Sequence, residues 1–136
     1  MKKLLEKLTY KGQKRIVVIN ADENFYINLN EALDGVQIDT AIDPRYPYEF
    51  ILIFVRKASE VRLYTPCALH NLVADGKLWF CYPKKTSMKY KSDIDRDHGW
   101  EPLSNAGLQG IRLVTIDEDW SAFRFRNVKY IKSSKL

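Results

Sequence analysis

Three short stretches of this chain are apolar almost without a break: "RIVVIN" at 15–20, "FILIFV" at 50–55 and "KLWFCYP" at 77–83. A strand with one face in water alternates apolar and polar residues, whereas these runs do not, so the strands they form are covered on both faces. The segments between them change period. "NFYINLNEAL" carries its apolar residues at helical spacing through Phe25, Ile27 or Leu29, and Leu33, with Gly35 as the left-handed stop. Strands that alternate with helices and are buried on both sides predict a three-layer α/β/α sandwich around a mainly parallel sheet.

The remaining elements follow from local signals. Leu4, Leu5 and Leu8 mark one face of a short first helix, and "VQIDTAI" alternates as a less completely covered strand. Ser59 is placed to cap a helix onset after "RKA" at 56–58, and Thr65 with Pro66 reads as a restart, with threonine as cap and proline in the first helical position. Asp75-Gly76 is expected to end that helix. "EPLSNAG" predicts a short helix with Pro102 near its start, and "IRLVTI" with "AFRFRNV", joined by "DEDWS", predicts an antiparallel hairpin that closes the sheet. The 136 residues suit one domain, 1–136, around one core.

Charge and hydropathy narrow the partners. No apolar run reaches the roughly 18–20 residues of a membrane span, and Glu6 and Lys7 interrupt the leucines of "MKKLLEKL", so a cytoplasmic protein is expected, with no membrane partner. The net charge of +5 is spread along the chain and toward both ends, and no recognition helix, zinc finger or RNA-binding sheet motif accompanies it, so nucleic acid is not expected as a partner. Cys67 and Cys81 lie too far apart for a metal knuckle and are expected as free, buried thiols.

Five motifs stand in succession along the chain, which has no internal repeats: Leu5-Glu6-Lys7-Leu8; Val18-Ile19-Asn20-Ala21; Leu78-Trp79-Phe80-Cys81-Tyr82-Pro83-Lys84-Lys85; Asp93-Ile94-Asp95-Arg96-Asp97; and Trp120-Ser121-Ala122-Phe123-Arg124-Phe125-Arg126. In this order the chain resembles a bacterial family of proteins that has no established activity, and the likeness spans nearly its whole length. It departs from that family at "ADEN", where "APEG" is the expected form. The strand plan also resembles a shortened S-adenosylmethionine-dependent methyltransferase, a Rossmann-like arrangement that includes the antiparallel closing hairpin. That likeness concerns fold, and a fold does not assign chemistry.

The turn after the first strand argues against the usual ligand. Methyltransferase and dinucleotide domains leave that strand through glycines, which let backbone donors and a helix start approach the cofactor. Here the turn is Asn20-Ala21-Asp22-Glu23-Asn24, with two carboxylates and no glycine. Asp39 or Asp43 could serve as the acidic residue at the end of the second strand, but strands often finish in aspartate. No cofactor is therefore expected, and no Walker loop, nucleophile elbow or HExxH motif is present.

Candidate site residues cluster after the third apolar run. "KSDIDRDHGW" begins like a calcium loop with Asp93, Asp95 and Asp97, yet counting from Asp93 the sixth residue is His98 and the twelfth is Ser104, where calcium needs glycine and glutamate. Ser92 followed by Asp95 reads instead as a capping box, and no metal is expected. Lys84 and Lys85 leave a central strand at its carboxyl end, where open α/β sheets bind ligands. The "DEDW" turn should bring Asp117, Asp119 and Trp120 toward Lys84 and Arg96, either as an ion-pair network or as a site. Arg124, across the strand from Phe123 and Phe125, could grip a carboxylate or phosphate, or pair with an acidic neighbour on the adjacent strand. Cys67 and His70, one helical turn apart, are expected to pack rather than to form a thiolate pair. The candidate ligand-binding set is thus Lys84, Lys85, Arg96, His98, Trp120 and Arg124. Two functions are open: a non-catalytic domain binding a small anionic ligand or a protein at the strand-end rim, or an enzyme using His98 or an aspartate as base with Lys84 and Arg96 holding an anionic substrate.

Overall fold

The computed structural model describes residues 1–131 and sets the three apolar runs side by side in one sheet. The strands are β1 (Arg15–Ile19), β2 (Gln37–Asp39), β3 (Tyr48–Phe54), β4 (Leu72–Pro83), β5 (Leu108–Thr115) and β6 (Trp120–Asn127), in the order β2-β1-β3-β4-β6-β5. β2, β1, β3 and β4 run parallel, while β6 lies antiparallel between β4 and β5. The helices are α1 (Lys2–Lys7), α2 (Glu23–Ala32), α3 (Ala58–Asn71) and α4 (Glu101–Asn105). Lys132 and Lys135, among the basic residues of the carboxyl end, lie outside the described residues. Among the described residues no helix is long and apolar enough to cross a membrane.

The pleat sorts the apolar side chains into two cores. Val17, Ile19, Ile51, Ile53, Leu78 and Phe80 face Val61 and Ala68 of α3 and Leu103 of α4. Ile16, Val18, Phe50, Leu52, Trp79 and Cys81 face Leu5 of α1 and Leu29 of α2. Successive residues of a strand point to opposite faces, so a continuous apolar run is what two cores require. The α/β three-layer expectation is met.

Several local expectations are not. α3 is one helix, with Pro66 inside it and no restart at Thr65. The Thr65 hydroxyl donates to the Val61 carbonyl at 2.6 Å, back into the preceding turn. The carbonyl that the Pro66 ring deprives of a donor belongs to Arg62, and both residues are exposed to water. α3 also ends earlier than Asp75-Gly76. Asn71 closes it, donating to the carbonyls of Asp43 and Tyr46 at 3.0 Å each. Asp75, at φ +55°, sits instead in a bulge of β4, where the register passes from Tyr48↔Leu72 to Phe50↔Lys77. The alternating strand expected at 36–42 shrinks to the three residues of β2. Cys81 is buried, but Cys67 is exposed on α3.

The amino ends of β1 and β3 are joined by a polar cluster. Arg15 pairs with Asp39 at 2.8 Å and Asp43 at 3.0 Å, stacks 4.2 Å from the centre of the Tyr46 ring, and the Tyr48 hydroxyl donates to Asp39. Burial pushes the Asp39 carboxyl up, but the hydrogen bonds from Tyr48, Gln37 and Arg15 outweigh it and hold the group below the usual carboxylate range. A pKa lower in the folded chain than in the unfolded one gives stability that is complete above the unfolded value of about 3.9 and is lost as pH falls through the folded value. Asp39→Asn should lower the unfolding free energy in urea by about 1–3 kcal/mol at pH 7, with the deficit shrinking below about pH 4. A deficit independent of pH would assign the effect to packing.

Candidate functional site

Four strands bring their ends to one rim: the carboxyl ends of β1, β3 and β4 and the start of β6. β1 leads through α2 to β2 on one side, whereas β3 lies on the other, so the direction of winding reverses between β1 and β3. Ligands of open α/β sheets bind at such a switch point. A cavity of about 310 Å³ lies there. Asn20, which leaves β1 at φ +64°, has its amide held by the Phe54 carbonyl at 3.3 Å and the Tyr64 hydroxyl at 3.1 Å. The rings of Phe54, Trp120 and Tyr90 form its apolar wall, with 5.1 Å between the first two and 5.1 Å between the last two, and the Arg56 guanidinium stands 5.7 Å from Tyr90. Asp22 and Glu60 also line it, but both carboxylates are engaged in capping helices: Asp22 accepts from Phe25 N–H at 2.8 Å, and Glu60 from the N–H groups of Arg56 and Lys57 at 2.7 and 3.1 Å.

A second cavity, of about 280 Å³, opens on the opposite face of the same strand ends. Trp120 and Ser121 are consecutive, so the pleat sends Trp120 toward the first cavity and Ser121 toward the second. Around Ser121 stand Tyr82, Lys84, Lys85 and Arg96, with Asp95 and Asp97. Lys85 reaches Asp95 at 3.4 Å. Asp95 also accepts Asp97 N–H and contacts His98 Nδ1, each at 2.8 Å, and these contacts, His98 foremost, hold its carboxyl down at about 2. Among the described residues neither Lys84 nor Arg96 has an ion-pair partner.

The six residues singled out in the sequence therefore separate. Lys84, Lys85 and Arg96 converge on the second cavity. His98 joins them only through Asp95, its side chain 76% exposed and outside the cavity lining. Trp120 belongs to the first cavity. Arg124 lies four residues further along β6, roughly 13 Å from the rim, and has no acidic neighbour across the strand: it faces Trp79 on β4 and Arg112 on β5. Its neighbour Arg126 does pair across the strand, with Asp75. The "DEDW" turn docks without ion pairs to Lys84 or Arg96. Lys84 N–H donates to the Asp119 carbonyl and the Ser87 hydroxyl to the Asp119 carboxylate, both at 2.8 Å. Cys67 and His70 are both exposed on α3, with the thiol turned to the Tyr64 carbonyl at 3.3 Å. Arg56, Tyr90 and Ser121 escaped sequence reasoning, whereas Asn20 is read there as part of the turn after the first strand. The winding reversal between β1 and β3 would have marked Arg56.

The acidic stretch that imitates a calcium loop opens no helix of its own. Ser92 donates to the Arg56 carbonyl and accepts Ile94 N–H, so the expected capping box with Asp95 does not form. Asp93 does serve a helix start, but a remote one: its carboxylate accepts Ala58 N–H of α3 at 2.8 Å, across 35 residues. Among the described residues no three carboxylate, imidazole or thiol groups gather as metal ligands would.

No family model matches this chain, and no curated protein matches it in sequence. Solved structures match it in shape. A putative type 11 methyltransferase from Sulfolobus solfataricus superposes at TM-score 0.56 with 12% identity, over 98% of this chain and 95% of that one. A chain of the fibrillarin/Nop5p complex superposes at TM-score 0.56 with 8% identity, over 86% of this chain and 74% of that one. At such identities the likeness is one of fold, and the fold is methyltransferase-like.

The geometry of Asp93 gives a direct test. Asp93→Ala should cost about 1 kcal/mol of unfolding free energy, the worth of a helix cap. Thermal melts should show the same loss with millimolar calcium and with a chelator, because an ion held only by the folded state would raise the melting point of the parent alone.

Proposed function

We propose that this protein is a binding domain, without catalysis of its own, that holds a small anionic ligand at the carboxyl-end rim between Lys84, Lys85 and Arg96. The observation that carries this reading is a convergence: Lys84 and Lys85 from the end of β4, Arg96 from the acidic loop and Ser121 from β6 line one cavity of about 280 Å³. Those three segments hold three of the five motifs on which the resemblance to the bacterial family rests, and on this reading the chain belongs with that family. Lys84 and Arg96, without ion-pair partners among the described residues, provide charge beside a hydroxyl that can hydrogen-bond an oxyanion, while Asp95 in the same lining is engaged by Lys85 and His98.

We infer further that S-adenosylmethionine is not the ligand, although the fold suggests it. Asp22 spends its carboxylate on α2 itself and so covers the helix start that a cofactor would approach. Asp39, the acidic residue at the end of β2, is taken by Arg15, Tyr48 and Gln37. Asn20 occupies the turn with its side chain tied to β3. These residues do not fit the cofactor, and no chemistry is assigned through it. The contact between Asp95 and His98 favours the second reading, a base oriented by a carboxylate. Against it stands the exposure of the imidazole, which leaves no shielded place for a substrate between His98 and the three cations.

Backbone amide resonances should report the ligand site. Titration with citrate at constant ionic strength should shift the amides of residues 84–87 and 96–98 in a saturable way, and the double variant Lys84→Gln with Arg96→Gln should weaken binding about tenfold or more. A response equal to that of chloride, or one untouched by the double variant, would remove the site. In calorimetry S-adenosylmethionine should bind no more tightly than roughly 10 μM, or about 7 kcal/mol. Tighter binding would restore the cofactor to the fold.

A further inference from the structure

Arg124 is the charged residue that the rim does not use. It is 8% exposed, and its Nε is shut away from solvent with no hydrogen-bond partner. A guanidinium rarely lies so deep unless a carboxylate or carbonyl satisfies it, because a buried donor without a partner is destabilising. Among the described residues no carboxylate pairs with it directly. On β5 it faces Arg112, which is exposed, and on β4 it faces Trp79, with Lys77 two residues before and so on the same face of the sheet. The carboxylate within reach, Asp75, is held by Arg126 through two parallel contacts of 2.7 Å. Burial and the Arg124 charge together push the Lys77 ammonium down, with Arg126 and Lys11 adding to the effect. Burial and Arg126 do the same to Arg124. The cluster is an excess of positive charge around a donor that is already desolvated.

We propose that Arg124, Lys77 and Arg112 form a second anion site, separate from the rim, that takes the phosphate group of a small phosphomonoester. Beyond the Arg126–Asp75 pair, three cations with no ion-pair partner among the described residues match the nearly two negative charges of a monoester better than the single charge of a carboxylate or a phosphodiester. The guanidinium fork supplies paired donors to phosphate oxygens, and the lysine supplies a point charge. Arg112 at the surface closes the site from outside, and Arg124 Nε is its inner donor.

The Nε–H resonance of Arg124 reads the site directly, since its burial protects it from exchange with water. With inorganic phosphate as the probe, at fixed ionic strength, that resonance should move saturably, while acetate and chloride should leave it in place. Arg112→Gln, at an exposed position, and Lys77→Gln, at a half-buried one, should each weaken phosphate about tenfold. The Lys84→Gln with Arg96→Gln variant should not change it. The proposal is overturned if acetate or chloride moves the resonance as phosphate does, if neither single variant alters the midpoint, or if the rim variant abolishes the response. A short single-stranded oligonucleotide that binds the cluster more tightly than phosphate would overturn the assignment to a small ligand.

Discussion

Everything in this molecule depends on the two-residue period of its central strands. The central stretches of β1, β3 and β4 have no face to spare for water, so each residue there is committed to one of two cores, and a slip of a single position would exchange Trp79 with Phe80 and Leu52 with Ile53 between layers of different shape. The same period acts on β6, which lies against β4 along six paired positions. It sends Phe123 and Phe125 into the layer under α3 and α4, and it leaves Arg124 beside Trp79 on the other side. Core packing and the partition of candidate site residues are therefore one constraint.

What the sequence revealed follows from that constraint. A strand covered on both faces announces itself by composition alone, and the three runs became the three adjacent parallel strands. The antiparallel hairpin was legible because the turn between its two strands is short and polar. Local signals misled where a distant group supplied the missing partner. Thr65-Pro66 resembles a helix start, yet a helix already running through Val61 can carry a proline on its wet side. Ser92 and Asp95 have the spacing of a capping box, but the residue that caps is Asp93, and the helix it caps lies 35 residues earlier. Spacing cannot show contacts of that range. Arg124 was expected to find an acid across the strand. The pairing of β5 and β6 instead set Arg112 opposite it, and only register, fixed in three dimensions, decides which neighbour a strand residue meets.

The stretch between β4 and α4 illustrates how a loop without helix or strand can still hold side chains in place. Ser87 fastens it to the β5–β6 turn, Ser92 and Asp93 fasten it to the start of α3, and the Trp100 indole donates to the Asp95 carbonyl at 2.8 Å. Between these anchors Lys84, Lys85 and Arg96 are presented to solvent from a rigid edge. Binding residues carried on loops that a scaffold positions are the common arrangement in α/β proteins.

The indole of Trp79 donates to the carbonyl of Leu8 at 2.9 Å, a contact that spans 71 residues. During synthesis the amino-terminal helix leaves the ribosome long before its partner, and chain growth is slow beside helix formation. α1 is too short to be stable alone. Its leucines share their core with Ile16, Phe50 and Leu52 as well as Trp79, so their face is fully covered only once β4 has been made and has found its place beside β3. A helix made before every strand of the sheet thus completes its docking only after four of them have been translated.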